Sequence, residues 1–123
     1  MPIYESAENY LETILMLKNK NGSVRSIDIV NELGYSKPSV SRAMKLLGES
    51  EYIVKDENGY IKLTEKGHQV AECMLTRHTI LSDFLISLGV KAETAAEDAC
   101  RIEHIISQES FDKICELLAK QKK

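Results

Sequence analysis

A thiol, a carboxylate and an imidazole occur within five residues, in the segment from Cys100 to His104. On a helix, positions i, i+3 and i+4 share a face, so Cys100, Glu103 and His104 are predicted to project together. Arg101 and Ile102 are predicted to point away, with Ile102 packing into the core. The three groups on the shared face are ligands for divalent transition metals and would supply half of a coordination shell. The alternative is the polar edge of an amphipathic helix, with Cys100 a small apolar residue.

Two other predicted helices carry oxygen or nitrogen donors. His78 lies inside a long helical stretch, and Asn9 and Glu12 are spaced i, i+3 on the first helix of the chain. Each has an ordinary explanation as well, because Glu12 suits the surface and His78 suits the edge of a core. Spacing alone does not show that the three helices meet.

The first half of the chain has the pattern of a winged helix-turn-helix. A first helix from Ser6 to Lys18 is followed by a second helix that Ser26 caps and Gly34 ends. A third helix begins directly afterwards, with Pro38 tolerated in its first turn. Residues of the second helix predicted to face inward are Ile27, Val30 and Leu33.

A β-hairpin is predicted from Tyr52 to Thr64, because two β-rich stretches flank Asn58-Gly59, a dipeptide that favours a type I′ turn. A hairpin placed directly after a helix-turn-helix indicates a winged helix. Three helices packed around a core with no role in DNA binding are the alternative.

Three helices are predicted in the second half, namely Thr64 to Leu88, Ala92 to Ile106 and Ser107 to Lys120. Their apolar faces exceed what a small winged domain buries, which predicts a homodimer. The predicted fold class is therefore mainly α, with a winged helix-turn-helix DNA-binding domain (1–67) before a helical dimerisation and metal-binding domain (68–123).

The third helix is rich in hydroxyls and cations around an apolar stripe. Serines and lysines suit phosphate contacts, and Arg42 is a candidate to read a guanine edge in the major groove. A solvated face would explain the lysines equally well, but not the density of serines. The candidate DNA-binding residues are Ser36, Lys37, Pro38, Ser39, Ser41, Arg42 and Lys45, with Pro38 included on the resemblance described below.

Composition excludes several classes of protein. The 123 residues carry a net charge of −3, so any DNA binding must depend on a local basic patch. Three widely spaced cysteines predict free thiols in a reducing cytoplasm, and neither a signal peptide nor a membrane span is indicated. No zinc-protease motif, phosphate loop or nucleophile elbow occurs, so an enzyme is not expected.

The order of motifs resembles the diphtheria-toxin-repressor and manganese-transport-regulator family of metal-dependent transcriptional repressors. The resemblance rests on "ENYLETILML", "SIDIVNELGYSKPSVSRAMKLL", "LTEKGHQVA", "RH" and "EDACRIEH" and covers almost the whole chain. It implies the short form of the family, without the SH3-like domain. It also implies base-proximal contacts from Ser36, Pro38, Ser39 and Arg42.

The resemblance further implies a metal site that draws on three helices. Cys100 matches the iron-type pattern and Glu12 the manganese-type pattern, whereas Asn9 matches neither. A thiolate favours Fe(II), Co(II) or Zn(II), so Fe(II) is expected slightly ahead of Mn(II), with Co(II) or Zn(II) binding in vitro. The implied ligands are Asn9, Glu12, His78, Cys100, Glu103 and His104.

These features predict a repressor of metal-homeostasis genes that binds a palindromic double-stranded operator when Fe(II) or Mn(II) is bound. Metal would clamp the first helix to the helices carrying His78 and the segment from Cys100 to His104. The alternative is a thiol-based redox regulator with the same winged helix, in which a Cys100 thiol of lowered pKa is oxidised.

Overall fold

A computed structural model describes residues 5–121, with side chains from Ala7 onward. The chain divides into two compact units, Met1–Cys73 and Met74–Lys123, and each is considered by itself. Within the described residues the helices are α1 (Glu5–Asn21), α2 (Ser26–Leu33), α3 (Lys37–Glu49), α4 (Glu65–Ser87), α5 (Ala92–Ile102) and α6 (Gln108–Gln121). Strands β1 (Ile53–Lys55) and β2 (Ile61–Leu63) form one antiparallel hairpin between α3 and α4.

The first unit has the predicted order of a winged helix-turn-helix. Helix α1 buries the apolar positions that its periodicity predicts, and α2 and α3 pack on one another and on neighbouring elements. In α2, however, Ile29 is fully buried while Ile27 is 44% exposed, so the prediction for Ile27 is wrong, whereas Val30 and Leu33 are half-buried. The buried residues of α1 are Tyr10, Leu11, Glu12, Thr13, Ile14, Leu15 and Leu17.

The two helices of the helix-turn-helix begin differently. Ser36 caps α3, because its Oγ accepts a hydrogen bond from the Ser39 backbone N–H at 3.2 Å. The predicted cap of α2 is wrong, since Ser26 is already helical and Arg25 is the N-cap residue. Asp28, three residues after the N-cap, accepts a hydrogen bond from the Arg25 N–H at 2.9 Å, as the third helical residue of a capping box does.

The hairpin forms, but without the predicted two-residue type I′ turn. The paired positions Lys55 and Ile61 enclose a longer loop, and within it Gly59 has a positive φ of 85° while Asn58 does not. Asp56 organises this loop, because its Oδ1 accepts hydrogen bonds from the Asn58 and Tyr60 N–H groups at 2.9 and 3.0 Å. An aspartate that bonds the backbone ahead of it favours this wider turn.

The segment from Thr64 to Gly67 contains the junction between the β1–β2 hairpin and the first turn of α4. Thr64 accepts a hydrogen bond from the Gly67 N–H at 3.1 Å and donates one to the Glu51 carbonyl at 2.6 Å. Lys66 lies over the Tyr52 ring, 4.2 Å from its centroid. A Cβ at Gly67 would collide with the Tyr52 carbonyl oxygen, so only glycine permits this close approach.

The second unit has its own small core around Leu81, Ala99 and Phe111. Ile102 packs against this cluster, as its predicted inward position requires. Cys115 also packs there, where burial and, to a smaller extent, the nearby Asp112 charge raise the pKa of its thiol. Among the described residues, none of the helices combines the length and apolarity needed to cross a membrane.

Candidate metal centre and DNA-binding surface

Helix α3 presents every predicted DNA-binding residue to solvent. The residues Ser36, Lys37, Pro38, Ser39, Ser41, Arg42 and Lys45 are all exposed. Val40, Met44 and Leu47 on the opposite face are buried and hold the helix against the unit. Because these buried residues hold the helix, the polar residues on its exposed face are accessible to a partner.

Basic and hydroxyl groups also line a groove beside α3. Lys45 and Ser41 of α3 border it, and Ser26 of α2 and Lys55 of β1 complete the polar part of its lining. Two cations and two hydroxyls are suitable partners for a phosphate oxygen, although neither half of the chain is basic overall. The structure thus contains the local patch that a net charge of −3 requires for DNA binding.

The Glu103 carboxylate lies between two imidazoles in the second unit. His78 Nδ1 is 3.0 Å from Glu103 Oε2, and His104 Nε2 is 3.2 Å from Glu103 Oε1. The Glu103 side chain is 0% exposed, the His104 side chain 2% and the His78 side chain 30%. A carboxylate enclosed to this degree is costly to bury unless positive charge and hydrogen bonds compensate it.

The spacing of Glu103 and His104 fits a shared divalent ion, and His78 contacts the other oxygen of the same carboxylate. Two ligand atoms in adjacent positions on an ion, each about 2.1 Å from it, lie about 3 Å apart. The observed separations match that value, and Glu103 Oε1 receives no hydrogen bond among the described residues. Two imidazoles and a carboxylate suit manganese, iron and zinc. The residues present therefore fit a metal.

The backbone that carries Glu103 and His104 departs from the predicted helix. Helix α5 ends at Ile102 instead of Ile106, and Glu103 is its C-cap with nearly helical angles (φ −57°, ψ −27°). His104 lies in the turn that follows. The helix ends there because the N–H groups of Ile105 and Ile106 both bond back to the Ile102 carbonyl, which tightens the turn.

The remaining predicted ligands are placed as follows. Cys100 is in the last turn of α5 and is exposed. Asn9 and Glu12 lie on α1, where Asn9 is half-buried and Glu12 is buried. Three of the six predicted ligands, His78, Glu103 and His104, are thus in direct contact within the second unit.

Arg77 is a residue that sequence reasoning missed. Its guanidinium donates hydrogen bonds to the Glu103 and Ile106 carbonyl oxygens, both at 3.1 Å. The available sequence signal was the pair Arg77-His78, in which a cation directly precedes a candidate ligand on the same helix. The structure shows that Arg77 is half-buried.

Comparison with known proteins covers both units. Residues 3–60 match the family model of the iron dependent repressor N-terminal DNA binding domain. Residues 64–123 match that of the iron dependent repressor metal binding and dimerisation domain. The transcriptional regulator MntR of Bacillus subtilis strain 168 is 34% identical over 113 residues, which are 92% of this chain and 80% of that protein.

Two solved structures give the same result. The manganese regulator SloR has a TM-score of 0.81 and 26% identity over 92% of this chain and 53% of the other. The T. acidophilum protein IdeR has a TM-score of 0.80 and 27% identity over 97% of this chain and 55% of the other. The chain thus spans about half the length of these two solved regulators.

The relatives' names describe transcriptional regulators, which confirms the expectation of a non-enzymatic protein and gives no support to the redox alternative. The two family models match in the order that the winged helix and the Glu103 centre require. This chain therefore belongs to the iron-dependent repressor family, which includes the manganese-transport regulators, and is a divalent-metal-dependent transcriptional repressor.

Proposed function

We propose that this protein represses metal-homeostasis genes by binding operator DNA when the centre at Glu103 holds Fe(II) or Mn(II). The observation that carries the proposal is the enclosed Glu103 carboxylate between His78 and His104. A bound divalent cation would neutralise this carboxylate and give the folded, DNA-competent state a stability that depends on metal.

Six side chains form the proposed ligand set. His78, Glu103 and His104 are proposed on their mutual contacts. Asn9, Glu12 and Cys100 are proposed on the family resemblance, with Glu12 also supported by its burial in α1. We place the boundary between the DNA-binding and metal-binding domains after Gly67.

The identity of the metal depends on Cys100. If its thiolate coordinates, the softer Fe(II) is favoured slightly over Mn(II), as the sequence indicates. The exposure of Cys100 and the manganese regulators among the relatives support Mn(II) instead. Titration with Mn(II), anaerobic Fe(II), Co(II) and Zn(II), with DNA binding as the readout, decides between them.

The proposed DNA contacts are those of the exposed face of α3. Ser36, Ser39 and Arg42 are assigned to base edges and nearby phosphates, and Lys37 and Lys45 to the phosphate backbone. A homodimer, supported by the matched dimerisation domain, would present two such helices to a palindrome whose half-sites lie about 34 Å apart or a multiple of that. The cytoplasm, where such DNA is accessible, is the proposed location.

The testing experiment selects duplexes from a random pool at fixed salt with the full chain and Mn(II), then repeats the selection with a chelator. Enrichment of a two-fold symmetric site only in the presence of metal is the expected result. Equal enrichment under both conditions would contradict metal-dependent repression, and enrichment of no site would contradict specific DNA recognition.

A further inference from the structure

We propose that Arg77 is a positioning residue of the metal centre, which fixes the turn from Glu103 to Ile106 and thereby places the Glu103 and His104 side chains. The inference rests on the proposed function of that centre. It assigns Arg77 no contact with the metal.

Arg77 holds both ends of the turn at once. Its Nη1 donates to the Glu103 carbonyl and to the Ile106 carbonyl at 3.1 Å each, and its Nη2 donates to Gln108 Oε1 at 3.0 Å. The guanidinium also lies over the Phe111 ring, 5.4 Å from the ring centroid. One side chain of α4 is thereby tied to the end of α5, to the turn and to the start of α6.

These carbonyl groups need an external donor because of where α5 ends. The last carbonyls of a helix lack intrahelical partners and carry partial negative charge, so a cation placed there is favourable. The turn satisfies only part of this need by itself, since the N–H groups of Ile105 and Ile106 both go to the Ile102 carbonyl. Arg77 supplies donors from a rigid planar group to the carbonyl of the C-cap residue Glu103 and to the Ile106 carbonyl beyond the helix.

The hydrogen bonds of Arg77 leave the Glu103 carboxylate oxygens available to a metal. The hydrogen bonds of Arg77 go to two backbone oxygens and one amide oxygen, and the Glu103 carboxylate faces the two histidines instead. A cation bonded to that carboxylate would compete with a metal for it, whereas a cation bonded to the carbonyls orients the same residue without competing. Because Arg77 precedes His78 in α4, one helical segment delivers a ligand and the residue that positions the other two.

A lysine cannot reproduce this arrangement. Its ammonium is a compact point charge without the planar fork that reaches two carbonyls and the Gln108 amide together. Arg77→Lys therefore keeps the charge and removes the bridging geometry, which makes it the informative substitution. Groups that orient metal ligands without touching the metal typically change metal affinity by about 10- to 100-fold when they are replaced.

The experiment measures Co(II) affinity and the Co(II) ligand-field spectrum of the full chain, at a temperature well below the melting temperature of each variant. Urea unfolding of each metal-free variant is measured in parallel. Arg101→Ala is the matched control, because Arg101 is an exposed arginine in the last turn of α5. Gln108→Ala removes the third contact of Arg77 and leaves both carbonyl bonds in place.

We expect Arg77→Lys to weaken Co(II) binding by about tenfold or more and to shift the spectrum, with Arg101→Ala unchanged and Gln108→Ala between them. If Arg77→Lys lowers urea stability but binds Co(II) with unchanged affinity and spectrum, Arg77 is only a structural residue and the inference is overturned. Absence of Co(II) binding by the unaltered protein would instead contradict the proposed function. Because Arg77→Lys and Gln108→Ala each keep part of the Arg77 contacts, they test the positioning role without the complete removal of that side chain.

Discussion

The exposed face of α3 and the turn after α5 are built on opposite principles. The polar residues from Ser36 to Lys45 are in solvent, and Val40, Met44 and Leu47 of α3 are buried. At the end of α5, a carboxylate and an imidazole are enclosed instead, with Glu103 at 0% exposure. The first surface is ready for a highly charged polymer, whereas the second encloses charge that a small cation can neutralise.

The difference separates recognition from regulation. An exposed face contacts phosphates directly, so the strength of these contacts is set by charge and salt, while the DNA-competent state is proposed to depend on metal. An enclosed carboxylate between histidines responds to metal because metal and protons compete for the same atoms. Substitutions in α3 should therefore change DNA affinity without changing the metal affinity of the free protein, whereas substitutions at the metal centre should change both.

Glu103→Gln is expected to have the largest effect. The amide has the shape of the carboxylate but not its charge, so metal affinity should fall by more than about 100-fold, beyond the range for groups that only orient ligands. Glu109→Gln, at an exposed position in the first turn of α6, is the matched control. Calorimetric titration with Mn(II) measures the metal affinity of both variants. Equal affinities would contradict the assignment of Glu103 as a metal ligand.

Arg42→Ala should weaken binding to the selected operator by about 1–3 kcal/mol and relax selection at one base pair. Metal affinity should stay unchanged, which is the opposite of the Glu103→Gln result. Fluorescence anisotropy with operator and scrambled duplexes checks this. Equal weakening on both duplexes would reassign Arg42 to a phosphate contact.

Cys100→Ser should change metal preference more than overall affinity. Replacing a soft sulfur with an oxygen should reduce Co(II) binding by about tenfold, with a smaller effect on Mn(II). The thiolate-to-cobalt charge-transfer band in the near ultraviolet should disappear. If the unaltered protein binds Co(II) without that band, Cys100 is not a ligand and the centre uses only oxygen and nitrogen atoms.

The smallest predicted effect concerns Cys115, which belongs to the core of the second unit and not to the ligand set. Burial raises the pKa of its thiol, so its thiolate fraction near neutral pH is lower than that of an ordinary cysteine. Alkylation of Cys115 should be slow at pH 7 and accelerate as the pH rises through the raised pKa. Mass spectrometry follows it, with exposed Cys73 as the internal reference, and added metal should protect Cys100 but leave Cys115 unchanged.

The DNA-binding region could be predicted from sequence because its pattern is local. Pro38 lies in the first turn of α3 as predicted, and the buried positions Val40, Met44 and Leu47 follow the helix period. Errors arose where tertiary or side-chain contacts override that period. Ile27 is exposed while Ile29 is buried, and Asp56 replaces the expected tight turn with a wider loop.

The metal centre could be predicted only in its residue types. The spacing of Glu103 and His104 indicated metal ligands, but it did not indicate that α5 ends at Ile102 or that Glu103 is fully enclosed. The turn after α5 is also bonded by Arg77, which is 26 residues away from Glu103 in sequence. Contacts of that range leave no periodic signal.

The central claim is that His78 and His104 bind a metal together with Glu103. Electron spin-echo envelope modulation of bound Mn(II) detects imidazole nitrogen directly and does not depend on DNA. We expect modulation from two imidazoles in the unaltered protein, about half of it in His78→Gln and in His104→Gln, and no change in His68→Gln, the variant at the exposed third histidine. Tightly bound Mn(II) without nitrogen modulation, or with modulation that neither ligand variant changes, would contradict the assignment.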